Sequence, residues 1–330
     1  MKKTKRRRVD LFILGGLAVL LTSAWAAVTQ PMSALASECQ PASVAPARLE
    51  AHVRMLSETF HPRGWEDVEN LERAADYIAT ELKQAGGEVS DQKYETSFVE
   101  TYRNVIARFG PDTPERIIVG AHYDAVDGSP GADDNASGVA GLIELARLLG
   151  RTPPPIRVEL VAWTLEEPPA FPTRDMGSAR HAEALREAKV KVRAAISLEM
   201  LGTFLDEPGT QTFPAPVLGL VYPSTGNFIT VVGRLGEGEL VRTVRSAMRS
   251  ATDLPVESIN APRWVPGIDF SDHANYWDHG YPALMITDTA FYRNPRYHTA
   301  ADTADTLDYV RMAKVVEGVS CAVHALALAR

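Results

Sequence analysis

Cysteine is scarce: Cys39 and Cys321 are the only two in 330 residues. So few, so far apart, exclude a disulfide-stapled miniature fold and a cysteine zinc knuckle. Either one bridge joins the chain ends in an oxidising compartment, or two thiols stay unpaired with Cys321 buried in a helix. Basic charge is also in deficit, with 34 Lys and Arg against 42 Asp and Glu. Internal repeats and low-complexity tracts are missing, which excludes solenoids and prion-like segments. With 45% apolar residues the chain is no disordered polymer, and its length suffices for a substantial core.

Uncharged runs are few, and one stands out. Lys2, Lys3, Lys5, Arg6, Arg7 and Arg8 precede Leu11 to Val28, and "ALA" follows at Ala34–Ala36. That order matches the basic, apolar and cleavage regions of an export signal, so residues 1–36 are expected to direct the protein to the periplasm or outside the cell. The rival reading is an uncleaved anchor in the inner membrane through residues 11–28. Glu38 directly before Cys39 fits a lipid-attachment site poorly, and "RRRVDL" matches a twin-arginine signal only loosely. Removing 1–36 takes six cations and Asp10 away, leaving 28 basic against 41 acidic side chains, a formal net charge of −13. Such a surface repels phosphates and argues against a nucleic-acid partner.

From about Val44 the pattern turns helical. Val68, Leu71, Ala75, Ile78 and Leu82 recur at helical steps until Gly86-Gly87. Apolar strands are expected at 104–110, 116–122, 156–163, 192–200, 227–233 and 281–287, separated by helices at 137–149, 177–190, 237–250 and 306–330. Most of these strands are apolar throughout rather than alternating, which indicates a sheet covered on both faces. The expected fold is therefore α/β, a three-layer α/β/α sandwich around a mostly parallel mixed sheet. Residues 37–330 read as a single catalytic domain, and the long irregular connection 206–227 as its substrate-binding loop or lid.

The acidic stretch "GAHYDAVDGSPGADDNASG" at 120–138 needs a charge partner. His122 ends an apolar strand, where open α/β sheets place their ligand crevice. Asp133 and Asp134 precede the next helix, "TLEEPP" brings Glu166 and Glu167 to the same rim, the strand at 192 delivers Glu199, and "RNPRYHTAADT" supplies His298. Acids packed together raise one another's pKa unless a cation balances them. Two histidines and three carboxylates suit a pair of zinc ions. Asp124, two residues beyond His122 on the same side of an extended chain, is placed to accept the other imidazole N–H.

At "GAHYDAV", "GADDNASG", "EEPP", "LEMLG", "SDHANYW" and "YHTAADT" the sequence resembles the co-catalytic dizinc aminopeptidase family, which also includes glutamate carboxypeptidases and single-zinc glutaminyl cyclases. The resemblance implies two Zn2+, with His122 and Glu199 on one, Glu167 and His298 on the other, and Asp134 bridging. It implies Glu166 as general base for the attacking water, Asp124 orienting His122, and Tyr297 or a nearby donor at the oxyanion. Asp133 is a supporting acid, and Asp272 and His273 shape the pocket without touching zinc. The family's best-known members carry aspartate where Glu199 stands. The implied activity is release of N-terminal residues from peptides; the alternatives are glutaminyl cyclisation, carboxypeptidase action, or a silent ectodomain kept for binding.

Other residues have blander readings. Arg293 and Arg296 are candidates for a substrate carboxylate, with pairing to nearby acids as the default. Trp163, Trp264 and Trp277 are candidates for a specificity pocket, with core packing as the default. His52, His61, His181, His273, His279 and His324 lack a partner motif at ligand spacing and stay outside the metal shell.

Overall fold

The computed structural model describes residues 2–31, 39, 42–98 and 100–329, with side chains of the first helix described from Gly15 onward. The "ALA" at 34–36 lies outside the described residues. Helix α1 (Lys2–Thr29) precedes α2 (Pro46–Arg54) and α3 (Val68–Gln84); then come β1 (Glu88–Glu95), β2 (Thr101–Phe109), β3 (Glu115–His122), α4 (Gly138–Arg151), β4 (Arg157–Trp163), α5 (Gly177–Glu187) and β5 (Lys191–Glu199). The chain ends with β6 (Ile229–Arg234), α6 (Gly238–Ala251), β7 (Val256–Ala261), α7 (His273–Asp278), β8 (Ala283–Thr287) and α8 (Tyr309–Leu328).

One mixed sheet runs β1-β2-β4-β3-β5-β8-β6-β7. Its centre, β4-β3-β5-β8, is parallel, and the antiparallel pairs lie at β1-β2, β2-β4 and β8-β6. Alternate residues of the same strands feed two cores. Ile117, Val119 and Ile196 pack with α3, α4 and α8, while Ile118, Val161 and Ala195 pack with α5 and α7. This is the expected three-layer sandwich.

Local rules explain several boundaries. Gly86, at φ +93°, ends α3: its N–H donates to the Lys83 carbonyl and that of Gly87 to Leu82, a left-handed cap suited to glycine. At Gly120 a Cβ would stand 2.4 Å from Trp163 Cη2 on the adjoining strand, so the indole occupies the space a side chain would need. The two ends of the domain are joined by a disulfide between Cys39 and Cys321, with Cα atoms 5.7 Å apart; of the two readings of these thiols, the bridge is the one found.

Helix α1 lies against β7. Ser258 Oγ donates to the Thr29 carbonyl and Arg245 Nη1 to that of Gln30, while Val19, Leu20 and Leu21 stay exposed. Among the described residues no helix is long and apolar enough to cross a membrane.

Candidate active site

Strand β3 is where the order of the sheet changes direction, with β4 on one side and β5 on the other. The carboxyl ends of these three strands form the crevice expected at a switch point. His122 closes β3, Glu199 closes β5, and Glu166 and Glu167 follow β4. Asp134 lies on the turn before α4, and His298 comes from the loop before α8. All except His298 are buried. Three backbones here take left-handed φ values that cost a non-glycine residue on the order of 1–3 kcal/mol each: Leu165 before Glu166, Met200 after Glu199, and His298 itself. Strain concentrates where side chains must converge.

His122 Nε2 lies 3.3 Å from Asp134 Oδ1, 3.5 Å from Glu199 Oε2 and 3.9 Å from Glu166 Oε2. His298 Nε2 lies 3.1 Å from Asp134 Oδ2 and 3.2 Å from Glu167 Oε2. Two triads result, His122–Asp134–Glu199 and Asp134–Glu167–His298, each with its ligand atoms within 4.8 Å of one another and both using Asp134. Neither ring nitrogen of His122 makes a hydrogen bond, although both are buried, and Glu167 Oε1 is likewise unpaired. Donor atoms so close yet not bonded to each other are arranged about a common centre. The donor set of imidazole nitrogen and carboxylate oxygen fits zinc.

The charge balance points the same way. Burial alone would lower the His122 pKa, but Glu199, Asp124 and Asp134 override it and hold it well above the ordinary value. Burial, reinforced by Glu199 and Glu167, pushes Glu166 well up against the pull of His122. Burial also raises Glu199, whereas Asp134, flanked by both histidines, is held low despite its burial. The nearby cation is Arg63, fully buried, whose guanidinium is committed to the carbonyls of Tyr123, Leu56, Pro130 and Gly131. Among the described residues no lysine or arginine forms an ion pair with Asp134, Glu166, Glu167 or Glu199.

Residues 104–323 match Peptidase family M28. The chain is 48% identical over 287 residues to the uncharacterized protein YfbL of Escherichia coli strain K12, covering 84% of this chain and 88% of that one. The chain belongs to peptidase family M28. That places it among the metallo-exopeptidases, zinc-dependent hydrolases. Among solved structures it resembles BSAP, a zinc aminopeptidase from Bacillus subtilis, at 16% identity and TM-score 0.67 over 84% of this chain and 94% of that one. It also resembles a Bacteroides thetaiotaomicron glutaminyl cyclase bound to N-acetylhistamine, at 18% identity and TM-score 0.66 over 86% and 99%. These two likenesses carry the fold.

In this M28 chain Asp124 faces His122 Nδ1 at 3.4 Å and accepts the backbone N–H groups of Glu166 and Glu167, so it fixes the acidic pair beside the ring. Asp133 turns away from the triads and accepts from Gly202 N, Thr203 Oγ1 and Asn294 Nδ2. Tyr297 stacks on His298 with ring centroids 3.7 Å apart. Asp272 is buried close enough to feel the charges of His122 and Glu199. His273 instead donates through Nε2 to the Ile268 carbonyl and packs edge-on against Trp277.

Arg293 is buried, with Nε and Nη1 given to Gln211 and the carbonyls of Thr203 and Phe228 and Nη2 left without a hydrogen bond, and it forms no ion pair among the described residues. Arg296 forms no ion pair among the described residues, contrary to the default expectation. Trp163 and Trp277 are core residues, but Trp264 is 82% exposed and belongs to neither core nor pocket. The six excluded histidines stay outside both triads.

Three contributors were given no role from the sequence, although Ser271 and Asp302 stand inside the motifs "SDHANYW" and "YHTAADT". Asp302 accepts the backbone N–H groups of Asp133 and Asp134, Ser271 Oγ donates to Glu199 Oε2, and Arg63 braces the turn at Gly131. Beside Glu199 and Tyr297 a pocket opens, walled by Phe213, Phe228, Phe270 and Phe291. Phe213 comes from the irregular 206–227 connection, as a substrate-binding loop would.

Proposed function

We propose that the protein is a two-zinc aminopeptidase, with His122 and Glu199 on one zinc, Glu167 and His298 on the other, and Asp134 shared. The observation that carries this reading is the pair of triads meeting at Asp134 while both His122 nitrogens lack a hydrogen bond. Zinc held there supplies Lewis acidity, making water a better nucleophile and polarising a peptide carbonyl. Glu166 is buried at the edge of the cluster, 3.9 Å from His122 Nε2, placed to take the proton of the attacking water and pass it to the departing amine. Asp124, facing His122 Nδ1 at 3.4 Å, is the carboxylate that would take the Nδ1 proton once Nε2 is on the metal, and through two backbone N–H groups it holds Glu166 at its post. Tyr297 braces His298 from below and turns toward the pocket, where its neutral hydroxyl serves as a donor to the oxyanion. Carboxylates in excess favour a free ammonium as the substrate's terminus.

Export is part of the proposal. The basic and apolar leader, together with the Cys39–Cys321 bridge, supports a periplasmic or extracellular location in which peptides are the substrates.

The test is the zinc-loaded full chain assayed on free-amine and N-acetylated aminoacyl substrates, beside Glu166→Gln. Turnover restricted to free amines, abolished by chelation and reduced about 10³-fold or more in the variant with zinc content unchanged, is the expected result. Full activity in Glu166→Gln would remove it as the base. Cyclisation of N-terminal glutamine, with one zinc sufficient, would replace the reading with that of a glutaminyl cyclase.

A further inference from the structure

The pocket beside Glu199 has aromatic walls but a polar floor, and strand register shows how the floor is built. Glu199 of β5 pairs with Thr287 of β8, Thr287 with Thr230 of β6, and Thr230 with Glu257 of β7. Directly paired residues project to the same face, so these four side chains form one row across four strands. With strands about 4.8 Å apart, Glu257 ends the row roughly 14 Å from Glu199, measured along the sheet. The neighbouring row, Met285, Val232 and Ile259, is apolar. Both rows line the pocket.

The far end of that row is unsatisfied. Thr230 is 6% exposed, and its hydroxyl has no hydrogen-bond partner. Glu257 accepts no hydrogen bond among the described residues. Its one ion-pair neighbour is Arg245, whose Nη2 stands 4.0 Å away and whose Nε and Nη1 are given to the carbonyls of Val256 and Gln30. Arg245 is not part of the pocket lining. Burial raises the Glu257 pKa while Arg245 and Arg249 oppose it, as for a carboxylate partly stripped of water and incompletely paired.

We infer that this pocket receives the side chain of the substrate's N-terminal residue, and that Glu257 selects a long one ending in a cation, lysine or arginine. The inference rests on the aminopeptidase reading for its substrate and on the pocket for its selectivity. The methylenes of such a side chain lie along Met285, Val232 and Ile259, and its charged end reaches the Glu257 carboxylate and the free lone pairs of Thr230. The aromatic walls tolerate a cation as well as they bury methylenes. A leucine side chain stops short of the row's end, leaving the buried Thr230 hydroxyl without a partner and the Glu257 carboxylate with only Arg245 at 4.0 Å, so the site gains no charge-assisted contact from it.

Two measurements decide it. Calorimetry on the zinc-loaded full-chain Glu166→Gln variant compares L-lysine amide with L-norleucine amide, which shares the stem and lacks the ammonium. At least tenfold tighter binding of the lysine amide is expected, falling to near parity when Glu257→Gln is added and to an intermediate value with Glu257→Asp. Equal binding, or tighter norleucine amide, overturns the inference without requiring any variant at Glu257 to fold. In parallel, the ratio of kcat/KM for lysyl over norleucyl p-nitroanilide is expected to fall at least tenfold from wild type to Glu257→Gln; an unchanged ratio overturns it. Preferential lysine amide binding without turnover of any free-amine substrate supports the pocket and overturns the aminopeptidase reading.

Discussion

Strand β4 carries one acid in its interior and delivers two beyond its end, and the three meet opposite fates. Glu159, in the strand, is 1% exposed, yet Arg108 Nε at 3.0 Å, Arg116 Nη1 at 2.6 Å and His181 at 3.6 Å surround it. Burial would raise its pKa, but His181, Arg116 and Arg108 outweigh that and hold it down to about 2. Glu166 and Glu167 sit among other carboxylates and two histidines, and both are pushed up by burial. The His52 cluster is also closed by arginine, because Glu144 beside it is ion-paired with Arg48 and Arg147 at 3.0 Å each. Histidine beside buried acid is therefore not by itself a metal signal in this fold. The distinguishing property is whether arginine closes the charge balance from within the chain.

The largest effect that would sharpen this contrast is at Asp134, shared by both triads. Asp134→Ala is expected to lower zinc content from two equivalents to one or fewer and turnover by about 10³-fold or more, read by metal analysis and kinetics. Retention of both zinc equivalents would separate Asp134 from the metals. Glu159→Ala is the converse: removing one partner of a buried ion-paired group is expected to cost about 3–5 kcal/mol in urea unfolding with zinc stoichiometry intact. Loss of zinc in that variant would erase the distinction between the two clusters.

His273 offers a third arrangement, a buried imidazole bonded to the Ile268 carbonyl and in no ion pair among the described residues. Burial, with Arg263 adding to it, lowers its pKa to about 4 despite the Ile268 carbonyl. The unfolded chain, near 6.5, binds the proton first. Stability from this residue is then complete above pH 6.5 and is lost as pH falls toward 4, by up to about 3 kcal/mol. Thermal unfolding of chelated protein across that window, compared with His273→Gln, measures it; equal slopes in the two proteins would show that other groups carry the acid sensitivity.

These contrasts also explain what could be read from residues alone. The central strands β3, β4, β5 and β8 are apolar on both faces because helices cover both, so they announce themselves. Strand β1, "EVSDQKYE", borders solvent on the sheet edge with an alternating half-exposed pattern, and β7, "VESINA", is the opposite edge; neither has the apolar run that marked the others. Glu257 was invisible for that reason, since it lies on an unrecognised strand. The two triads were legible because His122, Glu166, Glu167 and Glu199 close or follow strands, while Asp134 and His298 stand in the acidic and histidine-bearing motifs of the loops before α4 and α8. The roles of Arg63, Ser271 and Asp302 were not, although the last two stand in recognisable motifs: Arg63 donates to distant backbone carbonyls and Asp302 accepts from distant N–H groups, and such contacts leave no spacing to read.

Asp302 makes the smallest and most specific test of the comparison. Its two carboxylate oxygens accept the N–H groups of Asp133 and Asp134 separately, at 2.9 and 3.1 Å, so it orients Asp134, the residue common to both triads, through the backbone alone. Asparagine preserves shape but turns one acceptor into a donor facing an N–H. If the triads depend on a pre-set turn, Asp302→Asn weakens zinc affinity by about 10–100-fold while the protein folds normally, the range found when outer partners of metal ligands are changed. Competition with a chromogenic chelator reads the affinity directly. An unchanged affinity would mean that the metals themselves, rather than the loop from His298 to Asp302, impose the position of Asp134, and the strained φ at His298 would then have to be explained by packing against Tyr297 instead.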